Sequence, residues 1–204
     1  MEKIRYKQWD NEDKKYYLRE ETPEELSEYL TGTLEQYLDC CKDDSRIGDK
    51  KTRQELSDLW DKLVEAKDEY IEISVSSTGP FLNIEVEIFG KIQIKLTATR
   101  TPLDDTYEVL RIESIKIHPF FLEFGYQAAN VIDHVAWALG SEKTEYKIVQ
   151  CNAFENAFLL FNGYEKDVVN KENEIYLVKH HRDEYGYIIR NERQARDVSP
   201  EDGE

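Results

Sequence analysis

Gly125 is the residue of this chain best placed to meet an anion, because it opens an amphipathic helix shortly after a strand. The strand alternates in hydrophobicity and ends at Ile117-His118-Pro119. Backbone N–H groups at a helix N-terminus bind phosphate groups, and a glycine lets the phosphate approach the main chain. The alternative is a turn residue that begins the helix without touching a ligand, and the residues leave both interpretations open.

Metal and disulfide chemistry have little support in the sequence. The three cysteines are an odd number with two adjacent, which is a poor disulfide framework and lacks the paired spacing of a zinc site. No two of the four histidines have the helical spacing of a catalytic zinc motif. We therefore expect reduced thiols and no metal. These residues are Cys40, Cys41, Cys151, His118, His134, His180 and His181.

The order of short motifs between Ile112 and Tyr164 resembles the central half of a domain of the GNAT family of N-acetyltransferases. The motifs are the strand end Ile117-His118-Pro119, the helix-opening Gly125, Asn152, and Gly163-Tyr164. The resemblance covers roughly residues 70 to 181 and rests on the order of the motifs more than on any one of them.

The resemblance implies acetyl-CoA or another acyl-CoA as cofactor, with its pyrophosphate on a turn of the form Gln/Arg-x-x-Gly-x-Gly/Ala. The turn here is Leu122-Glu123-Phe124-Gly125-Tyr126-Gln127, in which only the middle glycine matches and Glu123 adds a negative charge. The cofactor-binding residues that the resemblance implies are Ile117, Gly125, Tyr126, Gln127 and Asn152.

The resemblance also implies transfer of the acyl group to an amine on a small molecule or a protein. A backbone N–H near Ile117, where two strands would separate, would polarise the thioester carbonyl. Glu113 or Glu85 would be the catalytic base, and Glu113 lies on the strand nearer the thioester. The alternative for both is the outward half of a strand alternation. Leu159 stands where the family often has a catalytic tyrosine, and it cannot donate a proton.

Two functions remain open. The first is an N-acyltransferase that holds acyl-CoA through backbone contacts. The second is a GNAT-like protein that has lost the cofactor and binds protein partners, as a structural or binding subunit of a viral or other large assembly. The replaced turn residues and the missing tyrosine favour the second function, whereas the strand end and Gly125 fit both.

The net charge of −16 opposes binding to nucleic acid, because Lys and Arg drive that binding by displacing counterions. An acidic inhibitor that imitates nucleic acid is a third hypothesis, and it requires a continuous acidic face. No apolar run approaches the ~20 residues that span a bilayer, and the N-terminus lacks the apolar stretch of a signal peptide. We therefore expect no membrane contact and a cytoplasmic location.

The chain length of 204 residues and hydrophobic fraction of 40% predict one domain over residues 1–181. Its parts are a helical third (22–69), a strand meander (70–119) and an α/β core (120–181). Residues 182–204 form a charged tail that we expect to be mobile, within which 185–189 could add a strand. The predicted fold class is α/β (α+β), with a GNAT-like mixed, mostly antiparallel central sheet flanked by helices.

Capping and periodicity predict the elements that position the candidate residues. Thr22-Pro23-Glu24-Glu25 predicts a helix with a capping box, and Gly140 predicts the end of the helix that Gly125 opens. Alternation of period two predicts an antiparallel meander from Tyr70. The remaining predictions are a first strand at Ile4-Arg5-Tyr6, a second helix with Leu56, Leu59, Trp60, Leu63 and Val64 on one face, a buried strand from Tyr146 to Val149, a short helix from Asn156 to Phe161, and a last strand from Ile175 to Val178.

Overall fold

The computed structural model of the chain describes residues 3–10, 15–42, 49–67, 69–102, 106–150, 152–168 and 174–181. The expected mobile tail, 182–204, with the additional strand expected at 185–189, lies outside the described residues. Cys151 also lies outside them.

A seven-stranded sheet forms the centre of the structure. Its order is β3-β4-β5-β6-β7-β9-β8, and every neighbouring pair is antiparallel except β6 and β7. The sheet is therefore mixed and mostly antiparallel, which confirms the predicted fold class. The strands are β1 Ile4–Asp10, β2 Lys15–Glu21, β3 Ile71–Thr78, β4 Phe81–Ile88, β5 Ile92–Thr99, β6 Val109–Ile117, β7 Lys143–Lys147, β8 Glu165–Val168 and β9 Ile175–His180.

α1 and α3 pack on the apolar face of the strands β3 to β6. The apolar residues of the sheet alternate toward that face, as in β4, where Leu82, Ile84, Val86 and Ile88 are buried. α1 packs along β3, and α3 packs against both α1 and the sheet. The helices are α1 Pro23–Cys40, α2 Lys50–Glu65, α3 Gly125–Ala138 and α4 Ala153–Phe161, with 3₁₀ helices at Pro119–Phe124 and Ile148–Gln150.

The predicted helix starts and ends are confirmed where capping was visible in the sequence. Thr22 and Glu25 form the expected capping box at the start of α1. Gly140 follows α3 with a φ of 63°, a left-handed conformation that favours glycine. Of the predicted apolar face of α2, Leu56 and Trp60 are buried, but Leu59 is exposed.

The expected first strand exists but lies outside the central sheet. Ile4–Asp10 pairs with Lys15–Glu21 as a separate antiparallel hairpin that the sequence did not predict. Ile4 and Tyr6 are buried, and the hairpin packs against α3 through β1 and against α1 through β2.

The predicted buried strand from Tyr146 to Val149 is displaced toward the N-terminus. The strand is Lys143–Lys147, and Ile148–Gln150 forms a 3₁₀ turn in which Val149 is 81% exposed. The prediction for Val149 was wrong because the apolar residues Ile148 and Val149 directly follow Tyr146 and Lys147, and such a run does not show where the strand ends. β8 was not predicted, since its sequence, Glu-Lys-Asp-Val, has no apolar alternation.

Gly140 is expected to be intolerant of a side chain. A Cβ there would lie 2.4 Å from the Lys7 carbonyl oxygen of β1, and the backbone has a positive φ. Gly140→Ala should lower the free energy of unfolding by at least about 2 kcal/mol in urea denaturation. Gly32→Ala is the matched control, because nothing lies near its Cβ position in α1. It should raise the stability by about 0.5–1 kcal/mol. Equal effects of the two substitutions would contradict the packing of β1 on α3.

Candidate functional site

The parallel strands β6 and β7 separate partway along their length. Only Val109, Leu110 and Arg111 of β6 have pairing partners in β7, among the described residues. The second half of β6, from Ile112 to Ile117, continues without a β7 neighbour, although it stays paired with β5. The resemblance implies that the thioester would lie where these two strands cease to pair, and we call this place the opening.

The start of α3, where a pyrophosphate would bind, is continuous with the preceding 3₁₀ helix Pro119–Phe124. The Gly125 N–H donates to the Leu122 carbonyl, and the Gly125 backbone is helical, with φ −55° and ψ −32°. His118 caps the 3₁₀ helix, because its Nδ1 accepts from the Phe120 N–H at 3.3 Å. The amide of Gly125 is therefore already bonded within the preceding 3₁₀ helix, which itself begins at a proline that has no N–H to offer.

Gly125 itself is buried and faces protein atoms. A Cβ on this residue would lie 3.6 Å from the Phe158 ring of α4 and 3.7 Å from the Ile117 δ-methyl of β6. Both distances are ordinary van der Waals contacts, so the space beside the glycine is bounded by side chains. The structure thus brings Ile117 and Gly125 together, as contacts in the core.

Tyr126 and Gln127 join α3 to α1. The Tyr126 hydroxyl donates to the Lys42 carbonyl and the Gln127 amide donates to the Leu38 carbonyl, each at 3.4 Å. Gln127 is fully buried, and its Oε1 accepts from the Asn130 side chain at 2.9 Å. These two side chains therefore have partners in the helical layer.

Asn152 is the N-cap of α4. Its Oδ1 accepts from the Glu155 N–H at 2.9 Å, and the Glu155 carboxylate accepts from the Asn152 N–H at the same distance. Asn152 thus begins α4 as one half of a capping box. Leu159, the residue at the position of the family tyrosine, lies on the buried side of α4.

The two candidate bases lie on different strands and are exposed. Glu85 forms an ion pair with Lys95 at 2.7 Å. It lines an open depression of about 420 Å³ on the polar face of β3, β4 and β5, together with Glu72 and Glu87. Glu85 alternates with the buried residues of β4, so the sheet separates its carboxylate from α3.

Glu113 occupies a β-bulge in β6. Lys95 of β5 pairs with Ser114 and Leu96 pairs with Ile112, which leaves Glu113 as the extra residue. The bulge lies in the half of β6 that has separated from β7. A bulge re-aims its side chains and increases the local twist, so Glu113 is the candidate base that lies nearer the opening.

Glu145 was missed by the sequence analysis. It belongs to the last residue pair before β6 and β7 separate, and its side chain is only 1% exposed. Lys143 Nζ lies 2.6 Å and Arg111 Nε 3.5 Å from the carboxylate. The two cations compensate the buried charge. Only the register of the parallel pair identifies Arg111 as a partner, and sequence does not give that register.

Two histidines are buried and held neutral. Burial lowers the pKa of His134 to about 4, where its ring stacks on Tyr37 and its Nε2 lies 3.0 Å from the Thr33 hydroxyl. Burial likewise lowers the pKa of His181 to about 4, beside the Thr144 hydroxyl at 2.6 Å. Desolvation disfavours the charged imidazolium at both positions.

Comparisons with known proteins add no family. A scan against protein-family models finds no match, and a search of curated proteins finds none.

Among the described residues, no cluster of three or more His, Cys, Asp or Glu side chains could hold a metal ion. No helix in the described part of the chain is long and apolar enough to cross a membrane.

Stability should fall with acidification between about pH 6.5 and about pH 4, because the unfolded chain binds protons at His134 and His181 before the folded chain does. His134→Gln removes one of these groups and keeps a neutral side chain beside Thr33. In urea unfolding at a series of pH values, the variant should lose less stability over this window, by up to about 1 kcal/mol per pH unit. The two proteins should have parallel profiles between pH 7 and pH 8. Equal slopes below pH 6 would contradict the neutral, buried state of His134.

Proposed function

We propose that this chain is a GNAT-like protein that binds other proteins and does not transfer acyl groups, as a binding or structural subunit of a larger assembly. The observation that carries this proposal is the closed start of α3. The Gly125 N–H already donates to the Leu122 carbonyl, and the helix continues back to Pro119.

The residues present do not fit the pyrophosphate of an acyl-CoA. An anion at a helix N-terminus needs several backbone N–H groups that have no partner within the helix. Here the 3₁₀ helix extends α3 past that point, and Glu123 adds a carboxylate to the same turn. Acyl-CoA would have to break the bond between the Gly125 N–H and the Leu122 carbonyl before that amide became available. This cost favours a protein that has lost the cofactor.

Exposed apolar side chains in two segments support a binding role. Six of the ten large hydrophobic side chains that are exposed in the described residues belong to two neighbouring regions, the 3₁₀ helix Pro119–Phe124 and the segment from 149 to 161. An apolar patch of this kind on a folded domain marks an interaction site. We call these six residues the α4 surface: Phe120, Leu122, Val149, Phe154, Leu160 and Phe161.

The second candidate function is the N-acyltransferase, and the separation of β6 and β7 favours it. In that case an amine on a small molecule or a protein would be the acceptor, and Glu113 at the bulge would be the base that removes its proton. For either function we propose a cytoplasmic location. We also propose no nucleic-acid partner, since the net charge of −16 opposes binding to a phosphate backbone.

Isothermal titration with acetyl-CoA and with coenzyme A distinguishes the two functions. The closed helix start predicts no binding heat at ligand concentrations of about 1 mM. Gly125→Ala should give the same result and keep the fold, because its Cβ would meet Phe158 and Ile117 at ordinary contact distances.

Micromolar binding of acetyl-CoA that Gly125→Glu abolishes would overturn the proposal and support the transferase. Gly125→Glu must first be shown to be folded by circular dichroism, because Gly125 is buried. Binding that persists in folded Gly125→Glu would equally overturn the loss of the cofactor, and would place the ligand elsewhere.

A further inference from the structure

We infer that the outer edge of β3 is a binding site for an extended segment of a partner protein that is rich in Lys or Arg, and that this segment pairs with β3 as an additional strand. The inference adds a surface and a class of partner to the proposed function. It does not depend on the α4 surface or on the loss of the cofactor.

β3 has a free edge, because it lies at one end of the sheet and has only β4 beside it. All eight of its residues pair with β4 in one continuous register. Directly beside this pair, the Phe89 N–H donates to the Tyr70 carbonyl at 2.7 Å, so the main-chain groups of Tyr70 point toward β4. In an antiparallel pair this direction alternates from residue to residue. The residues whose main-chain groups point away from β4 are therefore Ile71, Ile73, Val75 and Ser77.

A contact with α1 confirms this direction. The Ser27 hydroxyl of α1 donates to the Ile73 carbonyl at 2.6 Å. In the described part of the chain, no strand pairs with this outer edge. A carbonyl oxygen has two lone pairs, so the Ile73 carbonyl can accept a second hydrogen bond. The edge thus presents N–H and C=O groups at every second residue, which is the pattern that an added strand requires.

The two edges of the sheet differ in their protection against such pairing. β8, at the opposite edge, has four residues, of which three are charged. Short and charged edge strands resist pairing with another chain. β3 has eight residues and one charge, Glu72, and it contains no lysine or proline. The unprotected edge is therefore the one at which a strand from a partner can be added.

The helix beside β3 makes this edge negative. α1 packs along β3 and carries five carboxylates, whereas it has no lysine or arginine. The segment that pairs with β3 would lie close to this helix, so positive side chains on the segment would be attracted. The carboxylates of α1 are Glu24, Glu25, Glu28, Glu35 and Asp39.

The polar face of β3 is negative as well. Glu72 lies directly opposite Glu87 of β4, an arrangement in which two carboxylates repel each other. Both line the depression of about 420 Å³ described above. Lys95 also lines it, but it already forms an ion pair with Glu85 at 2.7 Å. An added strand places every second side chain on this face, so a lysine or arginine there would lie beside Glu72.

This charge favours a basic partner over the other possible occupants. Pairing of β3 with its counterpart in a second copy would bring two α1 helices of five carboxylates each close together. The tail 182–204 contains seven Asp or Glu residues and four Arg residues, so it is negative too. A segment rich in Lys or Arg from another protein has the complementary charge.

An NMR titration of the full chain tests the inference. The probe is a capped peptide of about ten residues in which lysine and threonine alternate, because threonine favours strands. In the free protein, amide exchange should be slow at Glu72, Ser74 and Ser76, which bond to β4, and fast at the outward residues. The peptide should bind with a dissociation constant below about 1 mM and slow exchange at the outward residues alone. These are Ile71, Ile73, Val75 and Ser77.

Two control peptides separate strand pairing from attraction between charges. A peptide in which glutamate and threonine alternate has the same strand propensity, and it should not bind. The lysine peptide with N-methyl groups on every second residue keeps its charge but loses the donors on one edge. It should bind at least about tenfold more weakly, because it cannot complete the ladder.

Two substitutions test the β3 side of the interface. Val75→Pro removes an outward N–H that the pairing with β4 does not use, and it should raise the dissociation constant at least about tenfold. Glu72→Gln should raise it about two- to fivefold. Glu165→Gln on β8 is the matched control and should bind the peptide like the wild type. Circular dichroism and thermal unfolding confirm that each variant is folded.

Three results would overturn the inference. They are an absence of binding at about 1 mM peptide, equal binding of the N-methylated peptide, and slow exchange at the outward residues of the free protein. The last result would indicate that the tail or a second copy covers the edge, and sedimentation velocity would distinguish these two. The outcome is separable from the proposed function, because binding of acetyl-CoA would overturn only the loss of the cofactor.

Discussion

The burial of α3 on nearly all of its sides is the constraint on which the rest of the structure depends. Twelve of its fourteen residues are buried, because α1, the central sheet, the β1–β2 hairpin and α4 surround it. A helix in this position must satisfy its polar side chains inside the protein. Gln127, Asn130 and His134 do so through partners on α1 and on each other, and these bonds fix how the two helices pack.

The same burial decides what the start of α3 can do. Trp60, Phe89, Phe121 and Phe124 pack together beside it, with ring centroids 5.3–5.9 Å apart. This aromatic group holds the 3₁₀ helix against the end of α3, so the helix end that the GNAT resemblance assigns to a phosphate is an internal turn. The separation of β6 and β7 does not depend on this helix end. The fold can therefore resemble that of a transferase although the helix end does not fit the cofactor.

The sequence predicted those features that depend on local patterns. Period-two alternation located the meander β3 to β6, and the Thr22 capping box and Gly140 located helix ends, because the residues concerned act within a few positions of each other. β2 was not predicted because the polar and aromatic residues of Lys15–Glu21 do not alternate. For the candidate site, the sequence suggested Ile117 and Gly125 together, and the structure joins them. The neighbours that close the site, Phe158 and the 3₁₀ helix, depend on tertiary packing, as does the pairing of Glu145 with Arg111.

Amide hydrogen exchange at Gly125, followed by NMR on the uniformly labelled protein, tests the closed start of α3 most directly. If its N–H donates to the Leu122 carbonyl inside a buried helix, exchange should be slowed by several orders of magnitude relative to an unstructured glycine, and coenzyme A should leave the resonance unchanged. Fast exchange at Gly125, or a shift of its resonance on addition of coenzyme A, would contradict the account. Either result would indicate that the start of α3 is available to bind an anion.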